Sequence, residues 1–100
     1  MAKKKKIIWT KKAQIEKIDL LKFWLEKNKS ITYPSKLNKL INSSLDLISL
    51  YPNLGKQTDI SSTVRVKSIK HFNLFYKISD NEIIVLSIWD TRRNPDDVKF

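Results

Sequence analysis

The sequence predicts an α+β fold in which a two-helix hairpin packs on an antiparallel sheet. Three observations carry this. Apolar residues recur at helical spacing between Ala13 and Leu50, and the pattern switches to a period of two at Val64. Between the two regimes stand Pro52 and the only glycine, Gly55, the strongest punctuation in the chain. The resulting order is one N-terminal strand, two helices and three C-terminal strands. Its 100 residues suit one domain, 1–100, with residues 1–6 as a basic N-terminal extension.

Each element follows from its residues. Ile7-Ile8-Trp9-Thr10 is a short β-rich run. Ala13 to Lys27 reads as a helix whose buried stripe is Ile15, Ile18, Leu21 and Leu25, with Lys12, Glu16 and Asp19 on the other side. Leu20, Phe23 and Trp24 form a second apolar patch off that stripe, and Asn28-Lys29-Ser30 breaks the helix. Pro34 to Leu50 is the second helix, with Leu37, Leu40, Ile41, Leu45 and Ile48 as its stripe. Proline is tolerated in a first turn, where its missing N–H has no partner to lose. Gln57–Thr63 is polar and reads as loop. Val64 and Val66 alternate with Arg65 and Lys67; Phe72, Leu74, Tyr76 and Ile78 form the next such face. Ser79–Glu82 is the tight connection to Ile83–Leu86, which is apolar on both faces. Strands joined by tight turns run antiparallel, so the helices should share one face of the sheet. Trp9, Trp89 and Tyr76 are expected in the core, and Trp24 at the edge of a partner groove.

Composition narrows the chemistry. No cysteine is present, which rules out disulfides and thiolate metal sites and fits a reducing cytoplasm. With a single histidine, neither a metal nor another cofactor is expected. Lys+Arg number 20 against 10 Asp+Glu, a net charge of +10 that attracts nucleic acid, ribosomes or an acidic protein. The four lysines Lys3–Lys6 precede too short an apolar run for a signal peptide, and Ile83–Leu86 is too short to span a bilayer, so no membrane association is expected.

The landmarks in this order resemble the RelE/ParE toxins. The resemblance covers about residues 7 to 95. Ile8-Trp9-Thr10-Lys11-Lys12-Ala13 resembles the opening strand and the start of the first helix, and Leu50-Tyr51-Pro52-Asn53-Leu54-Gly55 the exit from the second. Val64-Arg65-Val66 resembles the arginine-bearing strand. Phe75-Tyr76-Lys77-Ile78 and Glu82-Ile83-Ile84-Val85-Leu86 resemble the next two strands, and Ile88-Trp89-Asp90-Thr91-Arg92-Arg93-Asn94-Pro95 the arginine-containing end. The resemblance implies a growth-arresting toxin of a type II toxin–antitoxin module, neutralised by a cognate acidic antitoxin. RelE-like members cut messenger RNA on the ribosome, and ParE-like members poison DNA gyrase.

RNA cleavage requires deprotonation of a 2′-OH, charge stabilisation at the phosphate and protonation of the leaving oxygen. Arginine suits the phosphate because its planar fork matches that geometry. Arg65 and Arg93 match the family's arginine positions and, with Lys67 as a base beside a cationic neighbour, are the candidate catalytic residues. Arg92, Lys70 and His71 are the candidate RNA- or phosphate-binding residues. On an antiparallel sheet the arginines could converge on one exposed face. This cationic face favours ribosome-dependent cleavage of messenger RNA. Many RNA-cleaving members, however, carry a histidine or tyrosine after the last-strand arginines, and Asp90–Phe100 has neither. That departure supports the alternative, a non-catalytic ParE-like inhibitor of gyrase. A small basic nucleic-acid-binding protein without toxicity is a third reading, weakened by the lack of a helix-turn-helix or an aromatic RNA-recognition pattern.

Overall fold

A computed structural model describes residues 4–59 and 61–91. The elements are β1 (Lys6–Trp9), α1 (Lys11–Asn28), α2 (Thr32–Leu50), a 3-10 turn at Pro52–Leu54, β2 (Lys56–Gln57), β3 (Val64–Ile69), β4 (Phe72–Ile78) and β5 (Glu82–Asp90). The five strands lie in the order β1-β5-β4-β3-β2. β2, β3, β4 and β5 pair antiparallel in succession, as tight connections require, while β1 runs parallel to β5. The sheet is therefore mixed rather than wholly antiparallel. The helical hairpin and strands β2, β3 and β4 all lie between β1 and β5 in the chain, so no tight turn joins the pair and its direction is free of the hairpin constraint. Gln57, expected to open the loop, instead joins Lys56 in the two-residue edge strand β2.

Local chemistry sets the helix ends. Thr10 caps α1 by accepting the Ala13 N–H at 3.1 Å. Lys29 ends it in the left-handed conformation at φ 49°. Pro34 falls in the first turn of α2, and Leu37, Ile41, Leu45 and Ile48 are buried as its spacing predicted.

The expectation for α1 needs correction. Ile15, Ile18 and Leu25, read as its buried stripe, are 50%, 62% and 40% exposed. Ala13 and Leu20 are buried instead, with Trp24 and Leu21 partly buried against the same core. The helix is rotated because its polar side has a partner on the sheet. Buried Ser87 donates to Glu16 Oε1 at 2.9 Å, while Lys12 Nζ lies 2.9 Å from Glu16 Oε2 and 3.3 Å from Ser87 Oγ. Satisfied in this way, Glu16 can face β5 without a desolvation penalty that would turn it outward.

β5 also differs from its expected two-sided burial. Ile83, Val85 and Ile88 are buried in the core, whereas Ile84 and Leu86 are half-buried. Its register against β4 shifts between Phe75 and Tyr76, where Leu86 is the extra residue. At the other end Lys6 opens β1, and Lys5 Nζ donates to the Ser79 and Asp80 carbonyls at 2.8 and 2.6 Å. Part of the basic extension thus belongs to the sheet and closes the β4–β5 turn.

Candidate functional site

Residues directly opposite in neighbouring strands share a face, and Arg65 stands opposite Tyr76. Tyr76 is fully buried in the core, so Arg65 lies on the helix-covered side and not on an exposed cationic face. Arg65 Nη1 donates to the Gly55 carbonyl at 2.6 Å. The Gly55 N–H donates to the Tyr76 hydroxyl at 2.8 Å, and that hydroxyl donates to the Pro52 carbonyl at 2.6 Å. These three bonds tie the exit of α2 to β3 and β4. Burial raises the Tyr76 pKa above the ordinary tyrosine value of 10.0, opposed by the Gly55 bond and the Arg65 charge. The phenol therefore stays neutral at physiological pH and keeps its proton on Pro52, an arrangement that suits a latch and not a proton donor.

This geometry gives Arg65 a structural task. Arg65→Ala is expected to destabilise the domain by about 2 kcal/mol, the worth of a charge-assisted bond to a buried carbonyl. A urea unfolding midpoint equal to that of the unsubstituted chain would show that the tether is idle.

The other candidates fall in two places. Lys67 is opposite Leu74, half-buried on the same side as Arg65. Lys70 and His71 form the exposed tip of the β3–β4 hairpin, with Lys70 at φ 52°. Thr91, at the end of β5, donates its N–H and its hydroxyl to the His71 carbonyl at 2.7 and 2.9 Å. Arg92 and Arg93 lie outside the described residues. The latch thus places Arg65 and Lys67 on the helix side, apart in role from the tip residues Lys70 and His71. Sequence reading missed Gly55 and Thr91 as partners. The isolated glycine was the one available signal, whereas an exposed threonine gives none.

A second feature lies between the helices. Ile18, Leu21 and Leu25 of α1, Ile31 just before α2 and Pro34 in its first turn line an open apolar groove of about 450 Å³. Ile18 also borders a hollow of about 250 Å³ shared with Trp9 and Lys17, whose ammonium sits 4.9 Å from the Trp9 ring centre. Ile18 is 62% exposed and Ile31 71%, and both line the same groove. Lys22 lines the groove, and Lys17 lines the adjoining hollow. Trp24, expected at the edge of a partner groove, instead packs edge-on against Tyr33 at 4.9 Å.

The described residues thus form a helical hairpin on a mixed five-strand sheet, with an open apolar groove between the helices. The model of the ParE toxin of type II toxin–antitoxin systems (parDE) matches residues 7–95, and the chain belongs to that family. The solved chromosomal ParDE toxin–antitoxin system from P. aeruginosa is similar in fold, with a TM-score of 0.75 at 16% identity, covering 88% of this chain and 97% of that one. No curated protein matches the chain. Among the described residues no helix is long and apolar enough to cross a membrane.

Proposed function

We propose that this toxin arrests growth by binding its target rather than by cutting RNA, and that the target is DNA gyrase, as the likeness to ParE-like members implies. The observation that carries this reading is the engagement of Arg65 in the Gly55–Tyr76 latch. An arginine that holds a buried carbonyl cannot also present its full fork to a phosphate. The tyrosine beside it is held neutral with its proton committed to Pro52, and no histidine or tyrosine follows the last-strand arginines. Messenger RNA mapped from cells arrested by the toxin is expected to be intact; transcripts shortened within minutes of induction would favour ribosome-dependent cleavage.

The partner of such a toxin is a cognate antitoxin, and the groove between α1 and α2 fits it. Its floor is apolar, Lys22 lines it and Lys17 lines the adjoining hollow, and the chain bears a charge of +10. An amphipathic helix of an acidic antitoxin would bury its apolar side on Ile18 and Ile31 and set its carboxylates against the lysines. A second copy of this chain is disfavoured there by its own charge.

A further inference from the structure

The groove between the helices is apolar except at Lys22, Ser35 and Asn38. Lys22 and Ser35 are exposed to solvent, so their polar groups need no protein partner. Asn38 is different. The residue is half-buried, yet its Oδ1 is closed off from solvent and has no hydrogen-bond partner among the described residues. A buried acceptor left empty destabilises a protein, and native structures seldom leave one without a reason. Neither helix stability nor the groove's hydrophobicity supplies that reason. Leucine is the better helix former and would extend the apolar wall that Ile18, Leu21 and Leu25 build.

The conflict is resolved when the groove is filled. A helix laid on Ile18 and Leu21 would strip the remaining water from Asn38, so its whole amide would need protein partners. An amide or hydroxyl side chain on that helix meets the need, because such groups both donate and accept. A half-turn of the Asn38 amide exchanges its oxygen and nitrogen with little change in shape, so either atom can face the incoming group. One polar pair in an apolar helix interface sets register and partner choice, since a shifted or wrong helix leaves it unpaired. Lys22 in the same groove and the chain's charge of +10 favour an acidic helix there over a second copy of the chain.

We propose that Asn38 is a specificity-determining residue of the groove, and that the cognate antitoxin's helix sets an amide or hydroxyl side chain against it. The inference rests on the reading that the groove holds the antitoxin. It deepens that reading by naming the polar group that the helix must carry within its apolar stripe.

The test is calorimetric titration of the full-length toxin with its cognate antitoxin, with thermal melting of each toxin variant. Asn38→Leu keeps the branched shape, adds apolar surface and loses the amide. It is expected to bind about tenfold more weakly, while its melting temperature does not fall. A groove read by apolar contact alone would bind this variant as tightly as the parent, or more so. Among polar-to-leucine changes along the antitoxin helix, one is expected to restore affinity for Asn38→Leu and weaken binding to the parent toxin. Asn38→Ala, which removes the amide without adding bulk, gives the same reading if Asn38→Leu melts early. Parent-like or tighter binding by the folded variant overturns the proposal, as does the lack of any restoring change in the antitoxin. If Ile18→Glu binds weakly while Asn38→Leu does not, the groove still holds the antitoxin and only the role of Asn38 is lost. If both bind like the parent, the antitoxin lies elsewhere and both readings fall.

Discussion

Gly55→Ala is expected to destabilise the domain by about 3 kcal/mol, at the upper end of overpacking costs. Gly55 has φ −77° and ψ 153°, an extended conformation open to any residue, so backbone freedom is not the reason. The reason is contact. A Cβ at this position would lie 2.6 Å from the Tyr76 hydroxyl, 2.8 Å from Tyr76 Cε1 and 2.9 Å from the Val66 carbonyl oxygen. All three are closer than real Cβ contacts, and neither the carbonyl nor a fully buried ring can move aside cheaply. Relief by displacing Tyr76 would break its bonds to Gly55 and Pro52 and release the site that Arg65 tethers. In a domain of this length the expected fall in melting temperature is roughly 15 °C. In a Tyr76→Phe background the same substitution should cost less, because the nearest clash is gone, although the ring carbon and the Val66 carbonyl remain. Equal costs in the two backgrounds would mean that the hydroxyl does not hold this loop.

Ile18→Glu is expected to weaken antitoxin binding about 100-fold, which corresponds to about 2.7 kcal/mol. The side chain is 62% exposed in the free toxin, so its replacement should change the toxin's own stability by no more than about 0.5 kcal/mol. On binding, the variant both loses apolar burial and sets a carboxylate against an acidic partner. The affinity of the parent pair should also fall as salt is raised, because Lys22 lines the groove and Lys17 the adjoining hollow. Calorimetric titration with the antitoxin reads both effects. An unchanged dissociation constant for Ile18→Glu would place the antitoxin elsewhere on the toxin.

The same residue shows where sequence reading worked and where it stopped. Element order and most boundaries were legible, because β4 and α2 have clean periods and only one side of each meets the core. The period of α1 was equally legible, but its direction was not. Ile15, Ile18, Leu21 and Leu25 make a better apolar stripe than Ala13, Glu16 and Leu20. Only the Ser87–Glu16–Lys12 hydrogen bonds, formed across 71 and 75 positions of sequence, turn the second set inward. At Ile15, Ile18 and Leu25, what looked like core is instead exposed surface. The parallel pairing of β1 with β5 was hidden for a related reason, since two strands separated by the helical hairpin and three other strands carry no local signal of direction.

The site was legible in residue type but not in use. Arg65 was found because it matches the arginine position of the resembled family. Its hydrogen bond to Gly55 depends on a sheet register and a turn that no local pattern encodes. Thr91 had no signal at all, being a small polar residue before two arginines. Lys70 and His71 stand at the hairpin tip where alternation ends at Ile69 and resumes at Phe72, and that much could be read from spacing.

The central claim is that the toxin inhibits gyrase by binding, without ribosomes and without cutting RNA. It is tested most directly by ATP-dependent supercoiling of relaxed plasmid by purified gyrase, with purified toxin added and no ribosome present. The expected result is a loss of supercoiling as toxin rises, reversed by the cognate antitoxin. Unchanged supercoiling at toxin concentrations well above those of gyrase would contradict it.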